Sequence, residues 1–228
     1  MQTETLSEWQ SARKGKFTAS SISKLFTEPK AKADKEAGRL SETALTYIFE
    51  LAVEEHTGYR KEITVKEMTH GIVNEFEGFE AFVQKSGLQF ELTSNQFFGY
   101  GANAGASPDG VLFDGIDITA VLDIKCPYSP LSYFNQKMEL YGTKMPKSYF
   151  YQLQMQMLCT GAKKGYLARY LTNSIVDEYG NKTEYDIPLD ERIFWTELNA
   201  DEEVHQQIID KVKAAEAIKQ GFIQSFKK

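Results

Sequence analysis

Apolar positions along this chain follow two periods, helical towards both ends and alternating in the middle. Leu45, Ile48, Phe49, Ala52 and Val53 recur at spacings of three and four, which predicts a helix opening at Leu40-Ser41-Glu42 and stopping at Gly58. Ile72, Phe76, Phe79, Phe82 and Val83 repeat that spacing, predicting a helix from about 68 to 86, ended by Gly87, with these side chains as its core face. Ahead of both, Thr18 or Ser20 can cap a short helix ending near Phe26, and Pro29 with the lysine-rich run to Arg39 reads as exposed loop.

The middle of the chain changes period. Strand-like segments fall at 88–93, 96–101, 110–113 and 118–124, the last closed by Pro127 and Pro130. Residues 131–141 and 148–160 read as helices, 165–171 and 183–187 as strands, and a long charged helix is expected from about 190 to 219. The order predicts an α/β fold, a mixed central sheet flanked by helices, with no internal repeat and one domain over residues 1–228.

Composition agrees with a packed core. The chain has 228 residues, 42% hydrophobic and 13% aromatic, enough to bury substantial apolar area. No run approaches the roughly 20 apolar residues of a membrane span, and the start Met1-Gln2-Thr3-Glu4-Thr5 is too polar for a signal peptide, so a cytoplasmic protein is expected. Cys126 and Cys159 are the only cysteines, which fits reduced thiols, and no Cys/His spacing suggests zinc. His56, His70 and His205 are scattered and read as surface or helix-end imidazoles.

Net charge is −6, unfavourable at first for a nucleic-acid partner, but the charge is segregated. Residues 11–39 carry eight basic against three acidic side chains, and 121–170 carry seven against two. Residues 71–120 carry one lysine against seven acids, and 171–228 seven basic against twelve acidic. Basic segments on either side of an acidic one suit a nucleic-acid channel beside a metal site, although two solvated lysine-rich faces give the same counts.

Where the acidic segment meets the second basic one lies the candidate chemistry. Ser107-Pro108-Asp109-Gly110 delivers an aspartate at the start of the run Val111-Leu112-Phe113. In Val121-Leu122-Asp123-Ile124-Lys125, alternation puts Asp123 and Lys125 on one face. Two carboxylates at neighbouring strand ends suit Mg²⁺, a hard cation that takes oxygen ligands and keeps waters, and a nearby ammonium can orient an attacking water. Alone, the same residues describe a surface hairpin with solvated charges. Glu75 lies close to the apolar face of its helix, where it could point along the sheet edge towards the ion. Tyr149, Gln152, Gln156 and Cys159 form a stripe at helical spacing, read here as the wet side of a core helix.

Taken in series, these landmarks resemble the lambda-exonuclease and YqaJ-type viral recombinase nucleases of the PD-(D/E)xK superfamily. Trp9-Gln10-Ser11-Ala12-Arg13 with Thr18-Ala19-Ser20 is similar to the family's amino-terminal phosphate-binding signature, and His70-Gly71 leading to Glu75 resembles its acidic helix. Ser107-Pro108-Asp109-Gly110 followed by Asp123-Ile124-Lys125-Cys126-Pro127 resembles the catalytic core, and Tyr149-Phe150-Tyr151-Gln152-Leu153-Gln154 the glutamine helix. The landmarks keep family order over residues 9 to 170.

The resemblance implies roles. Asp109, Asp123 and the Ile124 backbone carbonyl would ligate Mg²⁺, which Mn²⁺ would replace, with Glu75 joining directly or through water. Lys125 would activate the attacking water, and Gln152 would position that water or the scissile phosphate. Arg13, Ser20 and Ser107 match positions that bind a terminal 5′-phosphate in lambda-type enzymes, although on residue type alone they read as a surface arginine and capping serines. The implied activity is 5′-to-3′ exonuclease digestion of linear double-stranded DNA, leaving 3′ overhangs for a single-strand annealing protein in phage-type recombination. A homotrimeric ring, in a phage or prophage protein of a bacterial host, is implied with it. Asp123 stands where the lambda-type core has Glu, shortening the ligand arm by about one methylene, roughly 1.5 Å. The Asp109-to-Asp123 connection is also longer, with a hairpin turn at Asp114-Gly115. The rival readings are a structure- or site-specific endonuclease on this fold, or a non-catalytic DNA-end-binding module.

Overall fold

A computed structural model describes residues 6–59, 66–93, 95–141, 145–176 and 180–228. The polar start, residues 1–5, lies outside the described residues.

Helix α1 (Leu6–Arg13) leads into a short strand β1 (Phe17–Thr18) and a 3₁₀ helix over Ala19–Phe26. Thr18 stands at the start of that helix without a side-chain cap bond. The run read as loop contains one short exposed helix, α2 (Lys32–Glu36). α3 (Glu42–Thr57) is capped as expected: Ser41 Oγ accepts the Ala44 N–H, and Gly58 ends the helix at φ +76°. Its buried face is Ala44, Tyr47, Ile48, Leu51 and Ala52, so Leu45 and Phe49, expected inside, are partly exposed.

α4 (Lys66–Ser86) ends at Gly87, and five strands follow: β2 (Glu91–Leu92), β3 (Phe98–Tyr100), β4 (Ala104–Ala106), β5 (Gly110–Asp114) and β6 (Asp117–Lys125). Then come α5 (Pro130–Tyr141), α6 (Lys147–Thr160), β7 (Lys164–Tyr170), β8 (Ser174–Val176), β9 (Lys182–Glu184), α7 (Leu189–Arg192), β10 (Ile193–Asn199) and α8 (Glu202–Phe226). The single helix expected over 190–219 is therefore wrong. Its first part is β10, an aromatic and β-branched strand registered antiparallel on β7 from Ile193↔Tyr170 to Asn199↔Lys164. Asp201 restarts the helix, its carboxylate accepting the N–H groups of Glu203 and Val204.

The main sheet runs β10-β7-β6-β5-β2, antiparallel except for the β6–β7 pair. A smaller sheet, β1-β4-β3, pairs β1 parallel to β4, and β8 with β9 forms a separate hairpin. Both faces of the main sheet are covered, as a parallel pair requires. Ala120, Leu122 and Ile124 of β6 pack with Tyr166, Ala168 and Tyr170 of β7 against Phe79 and Phe82 of α4. On the other face Val121 and Leu167 meet Leu153 and Met157 of α6. The far side of α6 is closed by the 3₁₀ helix, α3 and α8 through Ile22, Leu25, Ile48, Met155 and Ile208.

Helix α4 departs from expectation in its first half. Phe79 and Phe82 are buried against the sheet, but Ile72 is 61% exposed and Phe76 56%. No helix among the described residues is long and apolar enough to cross a membrane.

Candidate active site

Strand alternation builds the site. On the α6 side of the sheet, Val121 belongs to the apolar layer, but two residues on the same face carries Asp123 and four carries Lys125. Here β6 leaves the core and the face turns polar. Asp109, just ahead of β5, is drawn to the same end: its N–H donates to the Leu122 carbonyl at 2.9 Å, and its Oδ2 accepts the Ile124 N–H at 2.6 Å. Thr93 adds two anchors, Oγ1 to the Pro108 carbonyl at 2.5 Å and N–H to the Asp109 carbonyl at 3.1 Å. The aspartate is thereby fixed on both sides before the hairpin turns at Gly115, φ +63°.

Asp123 is 2% exposed. Its Oδ1 accepts Gln152 Nε2 at 2.5 Å and Gln156 Nε2 at 2.9 Å, and its Oδ2 faces Lys125 Nζ at 2.7 Å. The glutamine stripe of α6 is consequently not a wet face. Both side chains are buried and aimed at the carboxylate, and Gln156 is a site residue that the stripe contained but sequence reasoning did not select. Gln152 serves this carboxylate rather than open solvent. Gln154, between them, points the other way, binding the Asn199 carbonyl and the Asp201 N–H.

Glu75 arrives from α4. Gly78, one turn further along, lets the helix approach closely: a Cβ there would stand 2.8 Å from Ile124 Cγ2 and 3.2 Å from Tyr170 Cβ. Burial, with the Asp123 charge beside it and against the pull of Lys125, pushes Glu75 up to about 7. Burial, then Asp123 and Glu75, hold Asp109 well above the usual carboxylate range. Burial alone would lower Lys125, but the Asp123 and Asp109 charges outweigh it and raise its pKa, so it is held as an ammonium. The neighbouring Cys126 thiol is pushed up to about 12, chiefly by burial, and is inert as a nucleophile.

Three carboxyl groups share this cluster with one ammonium. Asp123 Oδ2 is fully buried and, apart from the lysine charge, receives no aligned hydrogen bond. Among the described residues no three His, Cys, Asp or Glu side chains chelate an ion by themselves. A donor set of two carboxylates and a backbone carbonyl, completed by water and a substrate oxygen, still fits Mg²⁺. Beside it opens a cleft of about 260 Å³ lined by Gly71, Ile72, Glu75, Lys125, Gln136 and Tyr149.

Arg169 was missed by sequence reasoning. It is the register partner of Lys125 on β7, 1% exposed, with Nε donating to Gln136 Oε1 at 2.7 Å and its guanidinium 4.7 Å from the Tyr149 ring centroid. An arginine inside a strand pattern gives no sign of which face it will occupy.

The three residues expected at a terminal phosphate gather around Trp9 in part. Arg13 stacks on its ring, 4.2 Å from the centroid, and the indole N–H donates to Ser107 Oγ at 2.9 Å. Because Ser107 accepts that bond, its own proton is available to an anion. Ser20 is exposed, with Oγ 3.4 Å from Thr18 Oγ1, and Thr18 pairs with Gly105 where β1 meets β4, two residues before Ser107. Ser107 is itself two residues from Asp109.

A mixed sheet covered by helices, with two acids and a lysine converging where its hairpin strands end, is the PD-(D/E)xK nuclease fold, and solved exonucleases share it. The YqaJ-like viral recombinase domain matches residues 8–163, and the chain belongs to that family. An alkaline exonuclease from Laribacter hongkongensis is similar over 97% of this chain and 96% of its own, at 25% identity and TM-score 0.74. The same exonuclease in complex with dAMP gives 26% identity over 97% and 96%, with TM-score 0.72. A phage-related exonuclease from Haemophilus somnus 129PT shares the fold over 92% and 96% of the chains, at 22% identity and TM-score 0.76. No curated protein matches the chain.

Proposed function

We propose that this protein is a divalent-metal-dependent exonuclease that digests linear double-stranded DNA from 5′ to 3′ and leaves 3′ overhangs for a single-strand annealing protein in recombination. One nuclease domain, residues 1–228, carries the activity, and a homotrimer is its working form. The observation that carries this reading is the convergence of Asp109, Asp123 and Glu75 with Lys125 at one end of the sheet. Family membership and the exonuclease neighbours support it.

Asp109, Asp123 and the Ile124 carbonyl would hold Mg²⁺ or Mn²⁺, with Glu75 beside them. Bound there, such an ion would lower the pKa of a water and offset charge on the attacked phosphate. The chain's own residues do the rest. Gln152 and Gln156 lock the Asp123 carboxylate in one pose. Lys125, held as an ammonium, orients the attacking oxygen and offsets charge developing on the phosphate. Arg13 and Ser107, set by Trp9, together with Ser20, receive the terminal 5′-phosphate.

The test compares linear duplex labelled at its 5′-phosphate with covalently closed circles, each with Mg²⁺ or EDTA, using Lys125→Ala as control. Nucleotide release from linear DNA alone, abolished by EDTA and by Lys125→Ala, is expected. Cutting of circles means an endonuclease, and binding without cleavage means an end-binding module.

A further inference from the structure

Immediately after Arg13 the chain makes a turn, closed by the Lys16 N–H on the Arg13 carbonyl at 3.1 Å. Gly15 sits in it at φ +66°, and a Cβ there would lie 2.8 Å from Glu55 Cβ, so the turn is pressed against α3. Its carbonyl accepts a 2.8 Å hydrogen bond from Lys219 Nζ, 204 residues away on α8. Lys219 is 1% exposed, and its ammonium pairs with Glu55 Oε2 at 2.6 Å and Glu216 Oε2 at 2.8 Å. It also stands 5.5 Å from the ring centroid of Phe17, where β1 begins.

An ammonium has three N–H donors, and burying it is costly unless they are met. Three oxygens stand within 2.8 Å of this one, from α3, from α8 itself and from the backbone of the turn that follows Arg13. Apolar side chains would join α8 to α3 at least as well as a buried charge does. What an apolar side chain cannot do is hold a backbone carbonyl at a fixed distance. A chain of contacts then runs from Lys219 through Gly15 to Arg13, and through Trp9 to Ser107.

We propose that Lys219 is a positioning residue for the 5′-phosphate pocket, so that selectivity for phosphorylated DNA ends depends on the carboxy-terminal helix. The inference rests on the reading of Arg13 as a phosphate ligand. The experiment measures first-cut rates on linear duplexes ending in 5′-phosphate or 5′-hydroxyl, for wild type, Arg13→Ala, Lys219→Met and Lys219→Arg, with folding checked by circular dichroism. Arg13→Ala and Lys219→Met are each expected to lower the phosphate-to-hydroxyl rate ratio by roughly tenfold, the worth of one charge-assisted hydrogen bond, and Lys219→Met keeps a 5′-hydroxyl rate near wild type. Lys219→Arg, which keeps a cationic donor, retains most of the ratio. A folded Lys219→Met with the wild-type ratio, beside an Arg13→Ala that has lost it, overturns the role of Lys219 alone. An unchanged ratio in Arg13→Ala overturns the phosphate pocket itself, and the inference with it. If Lys219→Met does not fold, Lys219→Gln carries the same expectation, and a wild-type ratio there overturns the proposal equally.

Discussion

Asp123 receives two glutamine amides on one oxygen and an ammonium on the other, so its pose is fixed by side chains of α6 and of its own strand. Groups that orient a metal ligand typically matter by roughly 10–100-fold in metal affinity or activity. Gln156→Leu should therefore raise the Mg²⁺ concentration for half-maximal nuclease activity within that range, read from a metal titration. An unchanged midpoint would show that Gln152 suffices. At Glu55 burial raises the carboxyl, but hydrogen bonds from Lys219 and Gln220 and the lysine charge outweigh it, and its pKa is lowered. A carboxylate with a depressed folded pKa adds stability above its unfolded value near 4.5, which is lost as pH falls through the folded value. Glu55→Gln should therefore lower the melting temperature at pH 7 and narrow its gap to wild type below pH 4.5, the effect being modest because the side chain is 40% exposed.

At the scale of elements, the approach of α4 to the sheet decides where Glu75 sits. Gly78→Ala places a methyl 2.8 Å from Ile124 Cγ2, which the packed sheet cannot yield cheaply. Overpacking of this kind costs about 1–3 kcal/mol. A lower denaturant midpoint together with a lower kcat is expected, because Glu75 moves with the helix. Gly71→Ala, with nothing within 4 Å of the added methyl, is the control for stability and should leave the midpoint unchanged or higher. Caps and periods made most elements legible: Ser41, Gly58 and Gly87 bound their helices where the sequence places them. β10 was hidden because acidic residues on both sides of it, Asp190 and Glu191 before, Glu202 and Glu203 after, read as one charged helix. Asp201, an N-cap inside that run, was the available signal.

At the scale of the molecule, helices α4 and α5, which both contribute to the cleft lining, leave apolar side chains uncovered. Ile72, Val73 and Phe76 on one, and Leu131 and Met138 on the other, are each more than half exposed. Faces of this kind mark interaction surfaces. The ring reading predicts that light scattering gives three times the 25.9 kDa chain mass and that Phe76→Asp yields a smaller species. A monomer with undiminished digestion of long duplexes contradicts it. The sequence by itself determined helices α3 to α6, strands β2, β3 and β5 to β7, and residues that share a face. It also held Asp109, Asp123 and Lys125 at one end of a hairpin, because local geometry and alternation act over a few residues. Only the tertiary structure decided what each face meets. It turned the glutamine stripe onto a buried carboxylate, left Ile72, Val73 and Phe76 of α4 exposed, and carried Lys219 to the turn beside Arg13. Periodicity records which side chains point together, but their partner is chosen by packing between segments far apart in the chain.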